Sequence, residues 1–315
     1  MIGSVEPKVT LSPRHRSVAM VALVLAAACW GLAMVMTKAA LAEIPPFKLF
    51  ALQLAASVAV LWLFVLAAGQ TIPFNRMAVR ASLSGVLEPG LAYGASIPGL
   101  LMTSAATASV ILAAEPLLIA VLAWMMFSER PALRTWLAIV CGMGGVILTT
   151  ATTGETGERH IVGDLLVLAG TAFAALYVVV SSRFVVSLQP LVLTVLQQTA
   201  GFLFAVALLI FSVLADIEPR QNHIPLHTLL LGAFSGIVQY ALAFWLYLFG
   251  LKYVPLNTAG LCLALIPVFG VGGAVVFLGE AFGPVRWFGC VIVVMAVASM
   301  TRRGASAASR LCGEP

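Results

Sequence analysis

Two glutamates stand where a charged group is hardest to hold. Glu115 lies in an apolar run from Ala105 to Phe127, and Pro116 follows it at once. A second pair, Glu88-Pro89, sits midway along the preceding apolar run. Runs of this length cross a bilayer, where a carboxylate at mid-depth costs roughly 2.5–3.5 kcal/mol on insertion scales. Each proline also removes one helical hydrogen bond and frees a carbonyl one turn earlier. In lipid such defects survive only where the helix faces protein or a water-filled cavity. The chemistry on offer is exchange of a proton or contact with a substrate amine. The competing reading is a pair of protonated bridges between helices.

Other residues inside apolar runs extend this candidate site. Pro116 has a counterpart in Pro267, so Pro89, Pro116 and Pro267 are candidate helix breaks or hinges. Gln53 and the Gln197-Gln198 pair lie in corresponding segments of the two halves. Amides in lipid usually bond across helices. Trp30, Tyr93, Tyr177, Gln239 and Tyr240 are candidates to line a cavity and stack on an aromatic or apolar substrate, with plain packing as the alternative for each. Lys38, near the end of the first run, can snorkel to the headgroups.

Enzyme chemistry finds no support. His15, His160, His223 and His227 all fall in the arm or in loops, so no nucleophile–base constellation exists at depth. The five cysteines form neither a CxxC motif nor a Cys/His cluster, which argues against a metal site. No glycine-rich phosphate loop is present, and no cofactor is expected.

The elements that must position these residues are membrane helices. Of 315 residues, 62% are hydrophobic and 9% charged, against about 25% charged in a soluble domain. The net charge of +5 is spread singly between apolar runs, without the basic stripe of a nucleic-acid binder. Arg14 and Arg16 precede a stretch ending Ala26-Ala27-Ala28-Cys29, in the manner of a lipoprotein signal. The stretch continues to Lys38, however, too long for a signal core, and reads as the first span. Ten candidate helices follow, at about 17–40, 47–68, 78–98, 105–127, 132–150, 163–186, 190–214, 227–250, 256–278 and 284–301. With the N-terminus in the cytoplasm, twelve Lys and Arg face inside and five outside, as the positive-inside rule requires. The Thr152–Asp164 and Asp216–His227 loops then face outside.

The chain also repeats itself. Thr107-Ala108, Pro116, Glu129 and Trp136 recur 151 positions later as Thr258-Ala259, Pro267, Glu280 and Trp287. Leu23-Val24-Leu25-Ala26 returns as Leu166-Val167-Leu168-Ala169. Five spans repeated once enter the membrane from opposite sides, an inverted repeat found in secondary transporters. The second copy has Ile266 where the first has Glu115, so the repeat itself does not demand that carboxylate.

Several segments resemble the EamA family of the drug/metabolite transporter superfamily: Ala28-Cys29-Trp30-Gly31 with Lys38, Leu87-Glu88-Pro89-Gly90-Leu91-Ala92-Tyr93, Glu115-Pro116 through Ser128-Glu129, and Pro267 through Gly279-Glu280. The resemblance covers roughly residues 18–301. It implies an all-α integral membrane protein of ten transmembrane helices, as two inverted five-helix repeats at 17–150 and 163–301. Cytoplasmic segments 1–16 and 302–315 flank them. It implies alternating access between the halves, in the bacterial inner membrane, with export of an amino acid or related amphiphile. The expected partners are a small-molecule substrate, the lipid bilayer and protons. An uncoupled facilitator, or a lipid or drug translocator of the same superfamily, is the alternative. Many relatives carry Arg early in the second helix, where this chain has Gln53, so an anion anchor is not expected there.

Overall fold

The computed structural model describes residues 13–102, 111–128, 131–150, 161–218, 223–278 and 283–311. Thr107, Ala108, Glu129 and Glu280 of the sequence repeat lie outside the described residues, as does most of the Thr152–Asp164 loop. Every described element is helical. In chain order they are α1 (Pro13–Leu41), α2 (Pro46–Ala67), α3 (Arg76–Gly85), α4 (Ala92–Met102), α5 (Glu115–Phe127), α6 (Leu133–Thr150) and α7 (Ile161–Phe184). Then come α8 (Pro190–Leu214), α9 (Leu226–Gly236), α10 (Ala243–Tyr253), α11 (Leu256–Cys262), α12 (Ile266–Leu278) and α13 (Pro284–Leu311). Among the described residues, six helical stretches are long and apolar enough to cross a membrane: His15–Leu41, Pro46–Ala67, Ile161–Phe184, Pro190–Leu214, Leu226–Tyr253 and Leu256–Gly273. Shorter apolar helices occur at Glu115–Phe127, Leu133–Leu148 and Trp287–Ser299. The last helix runs on past its apolar part to Leu311.

Local rules set the ends. Pro46 and Pro190 open α2 and α8 at the first turn, where a missing N–H costs nothing. The Asn75 side chain accepts the Ala78 N–H at 2.8 Å and caps α3. Gly69, at φ +59, turns the chain after α2 with nothing near its missing Cβ.

Two helices change hydrogen-bonding register part-way. A π-helical turn, Val86–Leu91, joins α3 to α4, and a second, Ile237–Leu242, joins α9 to α10. The first contains Glu88 in extended conformation and a cis Glu88–Pro89 peptide. The second contains no proline. The Glu115-Pro116 break takes the form of a restart: a turn at Ala113-Ala114 ends one helix, and α5 begins at Glu115 with Pro116 in its first turn. In the second half a 3-10 turn, Leu263–Leu265, precedes α12 and Pro267.

These features recur at fixed spacing. The two π-turns begin 151 residues apart (237 − 86), as do α4 and α10, α5 and α12, and α6 and α13. Packing recurs too. Contacts of α1 with α10 are matched by α7 with α4, α2 with α9 by α8 with α3, and α1 with α12 by α7 with α5. The pairs α2–α8 and α6–α13 map onto themselves. The main interhelical contacts of one half thus recur in the other.

The α2–α8 pair is antiparallel. The end of α2 (Leu61, Val65) packs on Val195 and Leu191 near the start of α8. At the other extreme, Glu218 beyond α8 accepts the Phe47 N–H at 2.5 Å, at the start of α2. The bundle thus has a Pro46 end and a Pro190 end. At the Pro46 end, Ala40, Ile44 and Leu49 pack with Ile224, Leu229 and Leu231, and Thr228 donates to a Glu43 carboxylate oxygen. At the Pro190 end the Arg183 guanidinium lies 3.6 Å over the Phe127 ring, tying α7 to α5. Large apolar side chains such as Leu63, Phe64, Leu203, Phe211, Val276 and Phe288 cover the outer faces. That surface suits hydrocarbon and not water.

Small residues set the closest crossings. A Cβ on Gly250 would lie 2.4 Å from Leu23 Cγ, between α10 and α1; one on Gly99 would lie 2.9 Å from Val167 Cγ2, between α4 and α7. Overpacking of this kind costs about 1–3 kcal/mol. Gly250→Ala is therefore expected to lower the thermal midpoint of the purified protein by several degrees, and Leu23→Ala in the same chain should recover part of the loss. A midpoint unchanged by Gly250→Ala would contradict this contact.

Candidate functional site

Glu88 sits in the first π-turn, which packs against the middle of α8. There Pro89 faces Gly201, and Gly90 and Gly94 face Phe204. A Cβ on Gly201 would come within 2.5 Å of Pro89 Cγ, so the glycine makes room for the ring. Glu115 opens α5 close enough to Glu88 for the two carboxyls to interact electrostatically. Both side chains remain partly accessible, as do Trp30 and Tyr93. Between Arg80 and Arg130 the chain has no Lys or Arg, so neither acid has a basic neighbour along the chain.

Seven aromatic rings join around them. Trp30 meets Phe244 edge-on at 5.1 Å and Tyr247 at 5.5 Å. Tyr93 meets Tyr240 at 5.3 Å and stacks on Phe50 at 6.0 Å. Phe244 links Tyr240 at 6.2 Å with Tyr177 at 5.7 Å. The rings come from α1, α2, α4, α7, the second π-turn and α10, so helices of both halves contribute. Trp30 and Tyr93 are part-buried, whereas Phe50, Tyr177, Tyr240, Phe244 and Tyr247 are buried. Two donors in this cluster have no partner: Trp30 Nε1–H and the Tyr247 hydroxyl are both buried and unbonded.

Two amide clamps flank the acids. Gln53 Nε2 donates to Thr37 Oγ1 at 2.8 Å and to Ser235 Oγ at 2.9 Å. Gln197 Nε2 donates to Ser84 Oγ at 2.8 Å and to Ser181 Oγ at 2.9 Å. Gln197 Oε1 accepts from the Tyr177 hydroxyl at 2.9 Å. Gln239 occupies the second π-turn at the position that Glu88 holds in the first. Its Oε1 accepts from Thr37 at 3.2 Å, and Tyr93 bonds to its side chain. Gln198, by contrast, is buried with neither amide atom bonded.

The residues singled out in the sequence thus divide into groups. Glu88, Glu115, Trp30 and Tyr93 are part-buried. Tyr177, Tyr240, Gln53, Gln197 and Gln239 are buried in ring contacts and hydrogen bonds. Pro89 lies in the first π-turn, and Pro116 and Pro267 open helices. Phe50, Phe244 and Tyr247 were not anticipated, nor were the hydroxyls of Thr37, Ser84, Ser181 and Ser235. The only advance signal for Ser84 and Ser235 is that each precedes a glycine and the two lie 151 residues apart (235 − 84).

A bundle of apolar helices with an internal acid pair defines a multi-pass membrane protein built from two like halves. The model of the EamA-like transporter family matches residues 17–151 and 161–302, and the chain belongs to that family. It is 24% identical to the uncharacterized transporter sll0355 of Synechocystis over 297 residues, covering 87% of each chain. It is 24% identical over 204 residues to the uncharacterized transporter YetK of Bacillus subtilis, and 28% identical over 206 residues to YyaM of the same organism. Those two matches cover 62% and 63% of this chain but only 59% and 65% of the relatives' lengths. A solved structure titled "Crystal structure of protein" has a TM-score of 0.77 at 21% identity, over 94% of this chain and 99% of that one, a likeness of fold.

Two tyrosines respond oppositely to loss of a hydroxyl. Tyr177→Phe strands the buried Gln197 carbonyl oxygen, which costs about 1–3 kcal/mol. Tyr247→Phe strands nothing, because that hydroxyl bonds to no protein group. Thermal unfolding of the ligand-free protein should therefore show a lowered midpoint for Tyr177→Phe and an unchanged or raised one for Tyr247→Phe. The reverse order would refute the assignment of partners.

Proposed function

We propose that this chain is a secondary transporter that exports a small amine-bearing metabolite, an amino acid or related amphiphile, by alternating access. Ten membrane crossings in two inverted five-helix halves fit the six long apolar helices, the shorter ones and the matched packing of the halves. The observation that carries the substrate class is the pairing of complementary groups at one place. Two acids without a basic neighbour suit an ammonium group. The unbonded Trp30 N–H and Tyr247 O–H suit the oxygens of a carboxylate, and the rings between them suit an apolar or aromatic body. The two acids cannot both remain ionised and unpaired at this depth. Either protons or a substrate amine neutralises them, and that competition couples substrate to protons. In this reading Glu88 and Glu115 carry the proton or hold the amine.

The test is transport in proteoliposomes with an imposed pH gradient, using amino acids and their decarboxylated amines as substrates. Glu115→Gln and Glu88→Gln keep the side-chain volume and fix a neutral group. Gradient-driven accumulation should be lost while exchange of substrate for substrate persists. Tyr247→Phe should weaken transport of the amino acid and leave that of the matching amine unchanged. Unchanged gradient-driven uptake in both Gln variants would eliminate the coupling role, and flux indifferent to the gradient in the unmodified protein would indicate an uncoupled facilitator.

Orientation belongs to the same proposal. In the inner membrane, with both termini cytoplasmic, the Pro46 end faces outside. A single cysteine at His223 should react with an impermeant maleimide on intact cells, whereas one at Thr71 should react only after lysis. The opposite pattern would invert the orientation.

A further inference from the structure

The two glutamine clamps are alike in a way that simple helix bridging does not require. Each amide nitrogen is shared between its own half and the other half. Gln53 bonds Thr37, sixteen residues earlier in the first half, and Ser235 of the second. Gln197 bonds Ser181, sixteen residues earlier in the second half, and Ser84 of the first. The accepting serines are set alike: Ser235 donates to the Gly232 carbonyl and Ser84 to the Ala81 carbonyl, each three residues back. That orientation leaves a lone pair on each hydroxyl oxygen for the amide.

The residue after each serine is a glycine pressed against the backbone of the opposing glutamine. A Cβ on Gly236 would lie 2.4 Å from Gln53 Cα and O; one on Gly85 would lie 1.9 Å from Gln197 O. Each glycine also opens onto a π-turn, the one before Gln239 and the other before Glu88. The closest approaches between α9 and α2 and between α3 and α8 are thus each locked by one amide at a crossing between the halves.

The clamps sit at different levels. Gln53 lies two turns from the start of α2, toward the Pro46 end, and Gln197 two turns from the start of α8, toward the Pro190 end. Trp62 Nε1 donates to Thr199 Oγ1 between these antiparallel helices, which sets Gln53 level with Leu208. The clamps are then about 16 Å apart along the bundle at 1.5 Å per residue. Pro89, next to Glu88, packs on Gly201, which lies between those two levels.

We propose that Gln53 with Ser235 and Gly236 is the gate on the Pro46 side of the central site, and Gln197 with Ser84 and Gly85 the gate on the Pro190 side. This rests on the alternating-access reading above. Rocking one half against the other about the acids separates one crossing while the other holds. Neutral amides and hydroxyls suit such a gate. When it opens, water replaces each lost bond, so the exchange is nearly even. A charged pair at the same depth would hold the gate shut far more strongly once its neighbours excluded water.

The experiment reads sidedness without any substrate. In a chain whose native cysteines are replaced by alanine, Tyr93→Cys places a thiol between the gates. Sealed right-side-out and inverted membrane vesicles are treated with a membrane-impermeant maleimide. Gly236→Ala should raise labelling from the Pro46 side about tenfold, the change expected for a shift of about 1.4 kcal/mol, and leave the other side unchanged or lower. Gly85→Ala should do the same from the Pro190 side. Gln53→Ala and Gln197→Ala remove the clamps without a steric wedge and should reproduce the two directions; they decide the matter if a glycine variant does not fold. Folded variants that lose thermal stability with no change in the side of labelling would overturn the gates, as would two pairs that open the same side. Failure of proton-coupled transport with intact sidedness would instead overturn the transport reading and leave the gates standing.

Discussion

Inside a membrane, a carbonyl released by one helical register must find another partner in the protein, because lipid supplies none. The centre of this bundle is arranged around two such places, the π-turns at Val86–Leu91 and Ile237–Leu242. A wider turn swells the helix, and a neighbour must make room. Gly201 does so for Pro89, and the glycines at the mouth of each turn let a facing helix approach. Those approaches bring Gln53 and Gln197 within reach of hydroxyls on the opposite half. The acids, the rings and the clamps all hang from that accommodation.

The halves match in backbone and differ in charge. Glu88 in the first π-turn is answered by Gln239 in the second, and Glu115 at the start of α5 by Ile266 at the start of α12. Both carboxyls therefore come from one half. Gln239 is satisfied by Thr37 and Tyr93, whereas Glu88 is left beside Glu115. Like scaffolding with unlike side chains puts both acids on one side of the pseudo-symmetry.

Much of this was legible in the chain. Glutamate followed by proline inside an apolar run is a local signal, and both instances fall at breaks. The 151-residue spacing survives in side chains such as Pro116 and Pro267, because proline marks the start of a helix in both copies. The second π-turn was not legible. It carries no proline, and it packs on α2 from far along the chain, which no local pattern records. Phe244 and Tyr247 were missed for a related reason. In an apolar run an aromatic residue reads as packing until the fold shows which ring it touches. Serine hydroxyls at Ser84 and Ser235 are equally silent, since their meaning depends on a glutamine more than a hundred positions away. The break expected at Glu115-Pro116 takes the form of a fresh helix start, which a proline in the first turn permits at no cost in hydrogen bonds.

One asymmetry bears on kinetics. At the Pro46 end the Glu43–Thr228 and Glu218–Phe47 bonds add a polar fastening outside the Gln53 clamp. At the Pro190 end the residues at matching spacing are Ser187 for Glu43 and Met77 for Thr228, which offer no carboxylate. In a carrier that rocks between two openings, such unequal fastening cannot decide the direction of net flux, which belongs to the gradients alone. On that proposed cycle it bears on where the unloaded carrier rests and which return step limits turnover. On the proposed alternating-access cycle, carboxylate bonds fasten one mouth and the Arg183–Phe127 contact the other, so the two mouths have unlike opening costs.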